Sequence, residues 1–331
     1  MSSARDSKGQ GTLDSWLSPR SRSHHTRQAR ASASDQGSHD RPPGRFKAPR
    51  GNPAQRAALA AIAAETRTVL PDILKDLPNI HAAKSEALFL STLPMLKATD
   101  CPQHPKTAIS IVNEDTYNAA ISLASEVPSR VAVLNMASHS HAGGGWLKGS
   151  MAQEEALCYR SSLTLSLHKR YYPFKQRMAL YTPDVVIIRS DIPSGHKILD
   201  VKPGDLPVVS VLSVAALRCP DLKTVKQSNA SGVVTDRQVF ADPAARDLTK
   251  DKMRLCLRMA ASRGHDTLVL GALGCGAFRN PKREVAHCWL EVLREKEFEG
   301  GWWRRLVFAI FDTRKEGNFE VFDDILGGEM V

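Results

Sequence analysis

Beyond residue 53 the chain alternates between two kinds of hydrophobic spacing. Short runs of β-branched and aliphatic residues at 108–112, 130–135, 185–188, 208–214, 267–270 and 306–311 predict buried strands. Between them, apolar residues recur at helical spacing. With Asn280 as N-cap and Pro281 as the first helical residue, Val285, Trp289, Val292 and Leu293 share one face. Across 244–263, Leu248, Leu255 and Met259 form a second stripe that stops at Gly264. Two earlier helices are expected at 54–69, halted before Pro71, and at 84–96. Strands alternating with helices predict a three-layer α/β/α domain with a mixed sheet and additional N-terminal helices, with ligands at the C-terminal ends of the strands.

Residues 1–53 break this pattern. Ser, Arg, Gly, His and Pro dominate, with few large aliphatic residues to repay the entropy of ordering, so a disordered basic tail is expected ahead of a folded unit at 54–331. The tail holds ten Lys/Arg against four Asp/Glu, so most of the formal charge of +10 lies there and the folded part is not a DNA-coating surface. One island, Gln10, Leu13, Trp16 and Leu17, resembles the peptide that docks on the replication sliding clamp, which makes such a clamp a candidate partner.

Six cysteines without a CxxC or CxxH pair argue against a structural zinc or a disulfide framework. No apolar run approaches a membrane span and the N-terminus does not read as a secretory signal. The expectation is an intracellular protein with no metal or cofactor, the nucleus being the favoured compartment.

The chemistry concentrates in two glycine loops. After the strand at 130–135, Gly143, Gly144 and Gly145 precede a helix that opens at Gln153, Glu154 and Glu155. Consecutive glycines let the backbone approach a ligand and aim N–H groups at it, although such a run can also be a plain surface turn. Acidic residues are favoured at any helix start. Neighbouring helical residues diverge by about 100°, so the two carboxylates should divide their work. The second loop, Gly274, Cys275, Gly276, Ala277 and Phe278, joins the strand at 267–270 to a helix N-terminus and reads as an anion site. Cys275 reads as a small buried residue rather than a nucleophile, since no His lies near it in sequence.

Gly-Gly-Gly, seven residues, then Gln153-Glu154-Glu155 resembles the signature of the poly(ADP-ribose) glycohydrolases, in the compact form of bacteria and filamentous fungi. The likeness runs from about residue 56 to 312, through Asn135-Met-Ala-Ser, Tyr181-Thr-Pro183 and 270–278. Trp146, Ser140-His141-Ala142 and Ala277 depart from its usual residues. The resemblance implies a macrodomain that takes poly(ADP-ribose), ADP-ribose and ADP-ribosylated proteins as partners. It further implies Glu155 as catalytic acid, Glu154 and Asn135 holding the ribose, Gly143–Gly145 lining the catalytic loop, Gln153 among the substrate-binding residues, and Gly274–Phe278 gripping the pyrophosphate.

Cleaving a ribose–ribose bond requires a proton on the leaving oxygen as the anomeric carbon gains oxocarbenium character. The family implies one glutamate acting as acid and then as base. The helix start favours charged carboxylates, so burial or a hydrogen bond must keep the proton in place. A silent ADP-ribose reader and a mono-ADP-ribosyl hydrolase are the alternatives.

Overall fold

The computed structural model describes residues 52–331 apart from 229–231 and 233. The clamp-like island and the expected disorder of the tail lie outside the described residues.

Seven strands form one mixed sheet in the order β1-β4-β5-β3-β8-β9-β2. These are β1 (Glu86–Phe89), β2 (Ile109–Val112), β3 (Ala132–Met136), β4 (Met178–Val186), β5 (Val208–Val214), β8 (Thr267–Leu270) and β9 (Arg305–Ala309). Strands β5, β3, β8, β9 and β2 run parallel, whereas β4 is antiparallel to β5 and β1 to β4. Strands β6 (Leu222–Ser228) and β7 (Val234–Phe240) form a separate hairpin.

Period-two alternation along the parallel strands builds the three layers. Ala132, Leu134, Leu212, Leu268, Leu270, Leu306 and Phe308 face one core. That core is closed by α4 (Pro243–Ser262), α5 (Lys282–Leu293) and α6 (Asn318–Leu326). Val131, Val133, Val209, Val211, Val269 and Val307 face the other. There α1 (Pro53–Lys75), α2 (Thr116–Ala124) and α3 (Gln153–Arg160) pack.

Several sequence expectations are corrected. The segment 84–96 is not a helix: it supplies β1, which covers the open edge of β4, and then turns. Pro94 would have cost a helix there an internal hydrogen bond, whereas edge pairing satisfies the backbone of Glu86–Phe89. Conversely α1 does not stop before Pro71 but runs to Lys75. Proline costs about 3 kcal/mol inside a helix. Here Leu70, Ile73 and Leu74 continue the apolar stripe onto Val186, Ile188 and Leu206, and that burial offsets the loss. Strand β4 begins well before residue 185 and carries Pro183 where the register shifts between Thr182 and Val185, a place where a strand can accept proline.

Helix α5 starts at Lys282 with Pro281 as its cap residue. Asn280 therefore does not cap it: its Nδ2 donates instead to the carbonyls of Leu217, Gly274 and Phe278. The helix at 244–263 and its stop at Gly264, φ +75°, match the expectation.

Candidate active site

Because β3 and β8 are parallel neighbours, their following loops leave the sheet side by side. A Cβ added to Gly271 would lie 3.5 Å from Met136 Cε. The glycine loop after β3 and the glycine loop after β8 therefore share the C-terminal edge of the sheet, where α/β folds bind ligands.

Asn135 is fully buried near the end of β3, in step with Val131 and Val133, on the face that α3 covers. Its Nδ2 donates to Ser213 Oγ at 3.0 Å on β5 and lies 3.5 Å from Glu154 Oε1. Helix α3 is tied to β3 by Gln153, whose Oε1 accepts from the Met136 N–H at 2.9 Å. Its Nε2 donates to the Leu134 carbonyl at 2.7 Å and to Thr116 Oγ1 at 3.2 Å. That amide is taken up by the protein, so Gln153 holds the helix start in place.

The two carboxylates do diverge. Glu154 turns toward β3, with Oε2 accepting from the Ser138 N–H at 2.9 Å. Glu155 turns toward the glycine loop: Oε1 accepts from the Gly145 N–H at 2.7 Å and Oε2 from the Ala152 N–H at 3.0 Å. Both nevertheless meet at Gly144, φ +58°, where a Cβ would run into Glu155 Oε1 and come within 3.0 Å of Glu154 Oε2. Only glycine fits that position. Both acids are buried. Burial pushes the Glu154 carboxyl up to about 8, the charge of Glu155 adds to the rise, and the N–H donors oppose it.

The loop is braced from behind by groups that the sequence did not point to. The Tyr159 hydroxyl lies 2.9 Å from the Trp146 carbonyl and 2.8 Å from the Ser150 carbonyl. Arg56 of α1 donates to the Lys148 carbonyl from Nε at 3.2 Å and Nη2 at 3.0 Å. Gly149, φ +74°, packs so closely on the Arg56 backbone that no side chain would fit. Thr66 Oγ1 of α1 donates to the Tyr159 carbonyl at 2.9 Å, fastening the same helix to α3. The only sequence trace of this bracing is the placement of Tyr159 inside the helix that bears the acids.

In the second loop, Gly274 adopts φ +78° beneath the Asn280 amide, and Gly276 is exposed with nothing within 4 Å of where a Cβ would stand. Phe278 is half-buried and its carbonyl accepts from the Cys219 N–H at 2.8 Å. Ala277 is exposed. Burial raises the Cys275 thiol well above its ordinary value, which suits packing and not nucleophilic attack. Among the described residues no group of three or more His, Cys, Asp or Glu is placed to hold a metal ion, and no helix is long and apolar enough to cross a membrane.

Comparison with known proteins bears on this arrangement. Residues 48–190 match the family model described as microbial-type PARG, catalytic domain. The poly(ADP-ribose) glycohydrolase of Thermomonospora curvata, solved with the inhibitor ADP-HPD, superposes with a TM-score of 0.64 at 26% identity, over 81% of this chain and 99% of that one. The Deinococcus radiodurans enzyme in complex with ADP-ribose superposes with a TM-score of 0.56 at 26% identity, over 73% of this chain and 94% of that one. No curated protein sequence matches significantly. Residues 48–190 thus resemble the microbial-type PARG catalytic domain, and the chain shares its fold with the bacterial poly(ADP-ribose) glycohydrolases.

Proposed function

We propose that this chain hydrolyses the ribose–ribose O-glycosidic bonds of poly(ADP-ribose) and releases ADP-ribose. The observation that carries this reading is the meeting of Glu154 and Glu155 at Gly144, on a glycine loop that shares a sheet edge with the Gly274–Phe278 loop. A reader needs only backbone donors for a pyrophosphate and a pocket for the ribose. Two buried carboxylates beside one backbone position add the means to move a proton.

In this reading the Gly274–Phe278 backbone takes the pyrophosphate, and Asn135 with Glu154 fixes the ribose. Glu155 protonates the oxygen leaving the anomeric carbon as that C–O bond breaks. Water then adds to the oxocarbenium carbon, and Glu155 accepts its proton, which restores the acid. Each carboxylate oxygen has two lone pairs, so Glu155 can carry that proton while still accepting from Gly145 and Ala152. The neutral form of Glu154 favoured by burial lets Glu154 donate to a ribose oxygen.

That same burial favours a second division of labour, in which Glu154 supplies the proton and Glu155 stays an acceptor. Incubation with defined poly(ADP-ribose), reading free ADP-ribose, tests the activity; no release over long incubation would leave a reader. Glu155→Gln should bind ADP-ribose yet lose at least ~10²-fold in turnover, the usual scale for removing a general acid. Glu154→Gln should lose affinity as well as turnover. A Glu155→Gln variant with near wild-type turnover beside an inactive Glu154→Gln would assign the proton to Glu154.

A further inference from the structure

The segment 168–177 lies outside the machinery described so far, yet topology brings it to the same edge. Strand β4 is antiparallel to β5, with Ala179 opposite Val214, so its first residue, Met178, sits where β5 and β3 end. The residues leading into it are therefore on the site side. The Phe174 N–H donates to the His139 carbonyl at 2.7 Å, in the loop between Asn135 and the glycines. Tyr172 stacks on Phe174 with ring centroids 4.9 Å apart. Its hydroxyl is buried without a hydrogen-bond partner, within electrostatic reach of Glu154.

The charge around this segment is one-sided. From Val127 to Pro183 the only carboxylates are Glu154 and Glu155, against seven Lys/Arg. Lys169, Arg170 and Lys175 are exposed and, among the described residues, make no ion pair. The Arg170 guanidinium lies 4.7 Å from the Tyr171 ring centroid and donates from Nη2 to the Tyr171 hydroxyl at 3.0 Å, and Lys175 Nζ lies 5.6 Å from the ring centroid of Phe89, so aromatic groups and not carboxylates hold these two cations. Of the acids on the elements packed beside the segment, Glu86 is engaged by Arg263, and Asp251 is engaged by Arg254 and by Arg177 at the segment's end, leaving Lys169, Arg170 and Lys175 without a carboxylate partner among the described residues.

We propose that the 168–177 surface, through Lys169, Arg170 and Lys175 with Tyr171 beside them, holds the part of a poly(ADP-ribose) chain that extends beyond the unit lying at Glu154 and Glu155. Each unit of that polymer carries a charged pyrophosphate and an adenine face, which are what cations interleaved with an aromatic ring accept. The inference rests on the substrate proposed above.

The test uses the full chain carrying Glu155→Gln to stop turnover, with and without Lys169→Gln/Arg170→Gln/Lys175→Gln. Affinities for a long polymer of defined length and for ADP-ribose alone are measured across a salt series. The neutralised variant should bind the polymer about tenfold more weakly at low salt, and the slope of log affinity against log salt should shrink by about two, as expected when three phosphate contacts are lost. ADP-ribose affinity should not move. A charge-keeping variant, Lys169→Arg/Arg170→Lys/Lys175→Arg, should retain polymer binding, and single Lys169→Gln and Lys175→Gln variants give the same reading should the triple fail to fold.

Unchanged polymer affinity and slope would overturn the proposal, as would an equal loss of ADP-ribose binding or an equal loss of binding to a single-stranded oligonucleotide. Failure of the wild-type chain to release ADP-ribose would sink the proposed activity alone, because the polymer-binding measurement needs no turnover.

Discussion

The guanidinium of Arg56 holds the carbonyl of Lys148 with two N–H groups, across a sequence separation of 92 residues. Through it, a helix outside the sheet sets the height of the loop that presents the Gly145 N–H to Glu155. Arg56 touches no reacting atom, so it is a positioning residue. Arg56→Ala should lower kcat about tenfold, the ~1.4 kcal/mol expected when a loop beside the chemistry loses its alignment. KM should change little and Arg56→Lys should recover part of the rate. A loss confined to thermal stability, with kcat intact, would make the contact merely structural.

The Gly274–Phe278 loop offers a contrast within one turn. At Gly276 an added Cβ has no protein atom within 4 Å, so Gly276→Val should fold normally and any loss of ADP-ribose affinity by calorimetry reports the ligand's approach. At Gly274 a Cβ would crowd the Asn280 amide and Ala216 at φ +78°, so Gly274→Ala should lose both binding and stability. Undiminished ADP-ribose affinity in folded Gly276→Val would mean that the pyrophosphate binds elsewhere.

Burial of Glu154 has a signature in stability. Its carboxyl rises from an ordinary 4.5 to about 8, so between these values the folded state holds more protons than the unfolded state. That stabilisation is complete below 4.5, is lost as pH rises through 8, and leaves no further slope above. Melting temperatures at pH 5 and pH 9 should therefore fall further apart in the wild type than in Glu154→Gln. Equal pH dependence in the two proteins would count against a buried, neutral Glu154.

Tyr159→Phe removes the hydroxyl that reaches two loop carbonyls, taking this donor from Ser150 and leaving Trp146 only its bond from the Gly149 N–H. It should cost about 1–3 kcal/mol of stability. Turnover should fall as well. Unaltered melting and turnover would show that the loop holds itself.

The sequence was most legible where burial and local geometry agree. β5 and β8 read off their apolar runs to the residue, because both faces of a parallel strand are covered. Glu154, Glu155 and both glycine loops stood out because their spacing is local. Strand β1 was misread as helix, since Glu86–Phe89 is short and its conformation is dictated by the edge of β4. The β6–β7 hairpin was missed because Lys223, Lys226, Asp236 and Arg237 interrupt any buried pattern, leaving only its pairing to define it. Arg56 was invisible for a different reason: nothing near it in sequence reveals that a carbonyl from the catalytic loop will be its partner.

The position of that contact along the chain also bounds how far the protein can be trimmed. Asn52 Oδ1 accepts the Ala54 N–H and starts α1, and Arg56 follows four residues later. Shortening from the N-terminal side therefore has a sharp limit: a chain beginning at residue 52 keeps both the helix cap and the brace on the loop. One beginning at residue 57 keeps every strand of the sheet and both acids, yet loses the brace. Between those two starting points, five residues carry both the cap of α1 and the contact that holds the loop.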